Sequence, residues 1–289
     1  MSLYITSLNS GSNGNCYYIA NATEAVLVDA GISCRETEKR MQLLGLSMDK
    51  IKAIFISHEH TDHIKGVESI AEKYQLPVYI TDATAQRGRL HFKKELRQTI
   101  ISHEPVVIGG LTITAFPKIH DAVDPHSFII SGNGITVGVF TDIGVACENV
   151  NRNFKLCHAA FLESNYDEQL LDRGNYPTFL KNRIRGGEGH LSNTQAMEIF
   201  KVHRSPFLSH LLLAHLSKDN NSVELVQQLF ESVAGRIQIA VASRHEQTAV
   251  YKIDCSQQNL QISAVVLKGL IKKDRFSKHS STVKQLSLF

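Results

Sequence analysis

The stretch His58-Glu59-His60-Thr61-Asp62-His63 puts three imidazoles and two carboxylates into six residues, directly after the apolar run Ile51-Lys52-Ala53-Ile54-Phe55-Ile56-Ser57. The run reads as a buried strand, so the loop marks the point where that strand ends. Without a partner, polar and charged groups this dense would repel one another and lose hydration. Neutral imidazole nitrogens and ionised carboxylate oxygens are the usual ligands of divalent ions such as zinc or manganese, and a metal explains the crowding. Side chains alternate along an extended chain, so His58 and His60 point one way. The turn into the next helix then lets Asp62 and His63 serve a second ion close by.

Working outward, Leu3 to Leu8 and Cys16 to Ala20 read as strands joined by Asn9-Ser10-Gly11-Ser12-Asn13-Gly14-Asn15. That loop is either a turn or a nest of backbone N–H groups able to hold phosphate, with Ser12 and Asn15 as candidate contacts. Ala25 to Val28 is a short apolar strand ending in Asp29, which is either a turn acid or a group that orients the histidine loop. Ser33 to Leu44 reads as a helix opened by a capping box, Ser33 with Glu36. From Asp62, the spacing of Ile64, Val67, Ile70, Ala71 and Tyr74 predicts a helix, followed by a strand at Pro77 to Ile80 and a further segment from Asp82 to His91. The second half repeats the style. Strands are expected at His126 to Ser131 and Ile135 to Phe140, turned by Gly132-Asn133-Gly134, and at Leu156 to Leu162, Leu208 to Leu213 and Ile237 to Val241. Helices are expected at Ser192 to Val202 and Ser222 to Val233. The pattern is α/β: two sheets faced by helices.

The chain has 289 residues, 43% of them hydrophobic and 20% charged, enough for a full core. No apolar run approaches the roughly 20 residues of a membrane span, and Met1-Ser2-Leu3-Tyr4-Ile5-Thr6 lacks the features of a signal peptide, so no membrane association and a cytoplasmic location are the expectations. Five scattered cysteines without CxxC spacing fit a reducing compartment. The net charge of +3 is unevenly spread: residues 268–289 hold six Lys or Arg against Asp274, which leaves the body slightly acidic. The expected organisation is a domain over 1–267 and a flexible basic tail over 268–289.

One loop offers too few ligands for two ions, and the remaining donors are expected at other strand ends, where rigid elements can make them converge. His120 follows a strand ending near Phe116, Asp142 follows Val137 to Thr141, and His215 follows Leu211 to Ala214. The order HxHxDH, His, Asp, His, preceded by a strand-end Asp, resembles the metallo-β-lactamase superfamily in the form used by its phosphodiesterases and nucleases. The blocks Ser10 to Asn15, His120-Asp121-Ala122, Thr141 to Gly144, Glu163 to Asp167, Gly189 to Asn193 and His215 to Asn221 narrow the resemblance to its YycJ (WalJ) group. That resemblance implies a four-layer αβ/βα sandwich and two divalent ions, zinc or manganese, with iron also suited to these ligands. It implies His58, His60 and His120 on one ion, Asp62, His63 and His215 on the other, and Asp142 between them. It also implies a DNA exonuclease working from a 5′ end.

Two such ions lower the pKa of a water from 15.7 toward about 7 and supply hydroxide at neutral pH. His190, beside the helix cap Ser192, is the candidate general acid or phosphate contact, and Asp62 and Asp142 complete the catalytic set. Glu163 is a candidate for orienting ligands. Arg173, Lys181, Arg183 and Arg185 either hold flanking phosphates or form a solvated basic face. The last residues, Gln285-Leu286-Ser287-Leu288-Phe289, resemble the short peptide by which bacterial DNA polymerases and repair proteins bind the sliding clamp; Gln285, Leu286, Leu288 and Phe289 would make the contacts. The resulting expectation is a clamp-recruited, metal-dependent exonuclease with a role in DNA repair. The alternatives are a small-molecule (cyclic) phosphodiesterase or lactonase, or an RNA-processing nuclease, on the same metals.

Overall fold

The computed structural model of the chain describes residues 2–254. Strands β1 (Ser2–Asn9), β2 (Cys16–Ala20) and β3 (Ala25–Val28) form an antiparallel meander, and the sheet continues in parallel through β4 (Ile51–Phe55), β5 (Val78–Ile80) and β6 (Arg97–Thr99). The second half repeats this plan. Strands β7 (Pro105–Ile108), β8 (Leu111–Pro117), β9 (His126–Gly132) and β10 (Ile135–Phe140) are antiparallel neighbours; β11 (Ala159–Glu163), β12 (His210–Ala214) and β13 (Gln238–Val241) then run parallel to β10. Strand β14 (Tyr251–Asp254) returns to pair with β1. The helices are α1 (Cys34–Leu43), α2 (Thr61–Ile64), α3 (Val67–Tyr74) and α4 (Asp82–Arg87) in the first half, and α5 (Glu148–Phe154), α6 (Glu168–Arg173), α7 (Thr178–Arg185), α8 (Asn193–His203) and α9 (Val223–Ala234) in the second.

The inner strands are apolar on both faces, as strands covered on both sides must be. One outer face packs Leu27, Ile54 and Val78 under Met41, Val67 and Ile70. The other packs Phe140, Leu162 and Leu213 under Phe154, Phe200 and Phe230. Between the sheets, Tyr17 meets Phe161 with ring centroids 4.8 Å apart, and Phe55 meets Phe128 at 5.9 Å. The architecture is therefore the expected four-layer αβ/βα sandwich. Among the described residues no helix is long and apolar enough to cross a membrane, and Cys16, Cys34, Cys147 and Cys157 are free thiols. The expected boundary at 267 and the segment 268–289, with Gln285, Leu286, Leu288 and Phe289, lie outside the described residues.

Several local expectations need correction. The helix expected from Asp62 is two helices, α2 and α3, broken at Gly66. The reason is packing: Gly66 N donates to Ala30 O, and a Cβ at Gly66 would lie 1.9 Å from Ile32 O. Only half of the capping box on α1 forms. Ser33 Oγ accepts from Glu36 N, but the Glu36 carboxylate turns to Arg40, a buried guanidinium that also donates to Leu8 O and Asn9 Oδ1. The strand expected from Leu156 starts at Ala159, and α5, α6 and α7 had no sequence expectation. The Asn133-Gly134 turn behaves as read, with φ of 55° and 75° at its two central residues, the left-handed pair a tight hairpin needs.

His158, far from the histidine loop in the chain, is a structural histidine. Its Nδ1 accepts from Thr136 N at 3.1 Å, its ring lies 4.5 Å from Phe207, and its Nε2 is buried without a hydrogen-bond partner. Burial lowers its pKa from 6.5 to about 4. Because the folded-state value lies below the unfolded one, the stability associated with the neutral ring is present above about pH 6.5 and is lost as pH falls to about 4. The loss is at most about 3 kcal/mol, reduced by solvent screening at the partly open side of the ring. In urea titrations across this window, His158→Asn, whose Oδ1 keeps the acceptor, is expected to flatten the pH dependence by most of that amount. A curve identical to wild type would remove His158 as the cause.

Candidate metal centre

The site stands where strands end. Asp29 follows β3, the His58 to His63 loop follows β4, His120 follows β8, Asp142 follows β10, and His215 follows β12; Glu163 is the last residue of β11. β8 and β10 to β12 share one direction, so their carboxyl ends meet along one edge, the usual place for a ligand in an α/β sheet. Asp29, Asp142 and His215 have φ of 60°, 55° and 56°. Left-handed backbone at three non-glycine residues is costly, and it turns each side chain sharply off its strand into the cleft.

The nitrogens of three histidines converge. His58 Nε2 lies 3.0 Å from His60 Nδ1, and His120 Nε2 lies 3.3 Å from the same atom. A second group gathers beside it: Asp62 Oδ2 is 3.5 Å from both His63 Nε2 and His215 Nε2. Asp142 stands between the groups, with Oδ2 3.2 Å from His63 Nε2 and Oδ1 3.5 Å from His215 Nε2 and 3.9 Å from His120 Nε2. Donor atoms lie within 4.8 Å of one another in four sets: His58, His60 and His120; Asp62, His63 and His215; His58, His63 and Asp142; and Asp142, Glu163, His190 and His215.

The outer ring nitrogens are engaged elsewhere, which fixes the orientation of the inner ones. His58 Nδ1 meets Ser57 Oγ at 2.9 Å, His63 Nδ1 meets Asp29 Oδ2 at 2.7 Å, His120 Nδ1 donates to Gly189 O at 3.0 Å, and His215 Nδ1 meets Glu163 Oε1 at 3.1 Å. Asp29 is itself held by Ser57, through N at 2.8 Å and Oγ at 2.9 Å. Glu163 Oε1 also accepts from His190 Nδ1 at 2.8 Å, while its Oε2 accepts from Ile143 N at 2.7 Å. One buried carboxylate thus sets two imidazoles and the backbone beside Asp142.

The electrostatics follow from the crowding of imidazoles and carboxylates. Burial would push Asp62 and Asp142 up, but neighbouring histidines outweigh it and hold both carboxyls well below their usual range. Burial would lower His63 and His215, but Asp142 and the other carboxylates override it, raising His63 strongly and His215 to about 10. Asp142 Oδ2 and His215 Nε2 are nonetheless buried without a hydrogen-bond partner. Orphaned polar atoms at the focus of an imidazole and carboxylate donor set fit a divalent cation.

Other expected site residues fall differently. Asn15 turns inward: its Nδ2 is 3.1 Å from Asp62 Oδ2 and 3.0 Å from His63 Nε2, so it braces the histidine loop. Ser12 accepts from Arg244 NH2 at 3.0 Å. Lys181 and Arg185 on α7 both go to Asp172, through its carbonyl and carboxylate. Arg173 ends α6. Arg183 pairs with Asp121 Oδ2 at 2.6 Å, beside His120. Sequence reading missed Lys118, buried with its Nζ donating to Thr141 O at 2.7 Å, and Ser10, whose Oγ accepts from His215 N at 2.7 Å. Lys118 carried no signal, and Ser10 was read only as part of its loop, since an isolated lysine or loop serine is usually solvated.

The sequence model of the β-lactamase superfamily domain matches residues 24–215, which contain this whole cluster. Over 236 residues, 81% of this chain and 89% of the relative, the sequence is 33% identical to exodeoxyribonuclease YycJ of Bacillus anthracis. The chain belongs to the YycJ/WalJ group of the metallo-β-lactamase superfamily. It is also 31% identical to exodeoxyribonuclease WalJ of Streptococcus pneumoniae serotype 2, over 75% of this chain and 83% of that one. In structure it resembles the metallo-β-lactamase fold protein YhfI of Bacillus subtilis, with a TM-score of 0.67 at 18% identity, covering 87% of this chain and all of the other. The likeness to YhfI speaks to the fold alone. As a metallo-β-lactamase-fold protein carrying this His/Asp cluster, the chain is a metal-dependent hydrolase.

Proposed function

We propose that this hydrolase is a dinuclear, metal-dependent DNA exonuclease that degrades from the 5′ end. The observation that carries the reading is the complete donor set around Asp142, in a chain matching two exodeoxyribonucleases over most of its length. Asp29, Asp62, Asp142 and Glu163 bring negative charge to the centre against one buried ammonium, Lys118, an excess that divalent ions would offset; Asp121, 3.3 Å from His120 Nε2, is paired with Arg183. Zinc and manganese both suit the ligands, with iron as a third option. His58, His60 and His120 would hold one ion, Asp62, His63 and His215 the other, and Asp142 would face both. Bound there, the ions would supply Lewis acidity toward water and the phosphoryl oxygens.

The chain's own residues supply the rest. Glu163 fixes His190 through Nδ1, leaving Nε2 as the ring's free nitrogen, and the 21% exposure of this side chain gives it access to a bound strand. These contacts support the reading of His190 as the group that hands a proton to the leaving oxygen. The test is duplex DNA labelled at one end or the other and digested with manganese or zinc. The 5′-labelled strand is expected to release labelled mononucleotide first. Release first from the 3′ end would overturn the polarity. Cleavage of a cyclic nucleotide or lactone without attack on DNA would instead favour a small-molecule hydrolase.

We further propose recruitment by the sliding clamp through Gln285, Leu286, Leu288 and Phe289, in a role in DNA repair. A peptide on a basic linker raises local concentration on DNA, which a slightly acidic body does not do by itself. Deleting residues 285–289 is expected to lower clamp affinity in a pull-down or titration by at least about 100-fold, the scale of avidity from a second contact. Digestion of short free duplexes is expected to be unaffected. Undiminished clamp binding by the shortened chain would remove the tether.

A further inference from the structure

Beside the metal cluster lies an open pocket of about 170 Å³, and the nuclease reading gives it no role. Its wall includes Ser10, Leu216, Lys218, Ser222 and Arg244. It adjoins the metal cluster through the chain itself. Leu216 follows His215, and Ser10 accepts the His215 amide proton, so the pocket and this imidazole share one piece of backbone.

The position of Arg244 is built. Its NH2 group donates to Ser12 Oγ at 3.0 Å and toward Leu216 O at 3.5 Å. The adjoining chain is clamped to the first hairpin loop by Ser10 N to Ser243 O at 3.1 Å and Asn13 Nδ2 to Arg244 O at 2.8 Å. Gly11 makes this possible: at φ 136° it presents no Cβ, and an added one would lie 3.0 Å from the Arg244 NH2 atom. A guanidinium thus lies across the glycine-rich loop. Lys218 lines the same pocket and brings a second cation, while the hydroxyl of Ser222 caps α9 by accepting from Leu225 N. Asp219 acts on Arg244 from a distance, but its carboxylate is taken by Tyr176 Oη at 2.8 Å. Neither Arg244 nor Lys218 is ion-paired among the described residues.

Two cations without carboxylate partners, lining a pocket that shares its backbone with His215, suit an anion with several oxygens. We propose that this pocket is a phosphate subsite, in which Arg244 and Lys218 hold a phosphate of the substrate strand next to the one being cleaved. The inference rests on the nuclease reading and adds the contacts that set the strand's register. The phosphate is either the strand's 5′-terminal group or an internal one, and the chemistry of recognition is the same.

The test is binding of the intact metal-loaded protein to a fluorescent oligonucleotide with phosphorothioate linkages that resist cleavage, followed by anisotropy over a range of salt concentrations. Arg244→Gln and Lys218→Gln are each expected to weaken binding about tenfold and to reduce the slope of log K against log salt by about one. Arg244→Lys is expected to recover the salt slope but not the full affinity. Lys218 is exposed, so its variant reports even where Arg244→Gln disturbs the loop. Comparing 5′-phosphate and 5′-hydroxyl ends separates the sources: Arg244→Gln erases the difference if the phosphate is terminal, and affects both ends equally if it is internal. Wild-type protein that binds DNA, with affinity and salt slope unchanged in both variants, would overturn the subsite alone. Wild-type protein that binds no DNA would overturn the nuclease reading, and the subsite with it.

Discussion

Asp142→Asn is expected to lower phosphodiester hydrolysis by at least about 10³-fold, the loss that follows removal of a key electrostatic group from a reacting centre. The side chain keeps its size, so the effect isolates charge. Asp142 presents one oxygen 3.2 Å from His63 Nε2 and the other 3.5 Å from His215 Nε2 and 3.9 Å from His120 Nε2, so it is the group that touches both halves of the cluster. An asparagine replaces one of these oxygens with an N–H donor, which repels a cation and crowds a ring nitrogen. Metal affinity is therefore expected to fall together with the rate. The check is initial rate against metal concentration for folded variant and wild type: a variant rate within about tenfold of wild type at saturating metal would show that Asp142 does not join the two groups.

Gly31→Ala is expected to be the most damaging one-carbon change in the molecule. A Cβ at Gly31 would lie 1.6 Å from Asp62 O and 2.7 Å from Asn15 N, and both neighbours are backbone. Asn15 N donates to Asp62 O at 2.7 Å and Gly31 N donates to Asn15 O at 2.8 Å, so the three segments are laced together at contact distance. No side chain can rotate away to make room, and overpacking of this kind costs about 3 kcal/mol or more. The loop bearing Asp62 and His63 must retreat for the methyl to fit. The expected result is a lower urea midpoint together with weaker metal binding. Gly45→Ala, at a glycine whose Cβ would meet nothing within 4 Å, is the comparison, although its φ of 67° carries its own smaller strain. Equal midpoints for Gly31→Ala and wild type would mean that the loop is not packed against Gly31.

What could be read from sequence follows from how local each feature is. The His58 to His63 loop was legible because its donors share one short segment after an apolar strand. His120, Asp142 and His215 were legible as polar residues closing apolar runs, and Asp29 and Glu163 for the same reason. The direction of Asn15 was not legible: its loop spelled a turn, and only the fold brings Asp62 against its amide. For Lys181 and Arg185 the sequence left phosphate contact and solvated face both open, because charge alone does not reveal Asp172 on the neighbouring helix α6. Arg244 had no signal at all. It sits in an aperiodic segment, 232 positions from the Ser12 that it binds, and long-range pairing of that kind is written in the topology.

The central claim is that two divalent ions on this cluster give the chain its action on DNA. It is tested most directly by titrating metal-free protein with manganese or zinc and measuring, in the same samples, ions bound per chain and mononucleotide released from end-labelled duplex DNA. Release that rises as the second ion is taken up, and is missing from Asp142→Asn, is the predicted result. Full occupancy without release of nucleotide, or release unchanged when the ions are removed, would contradict it.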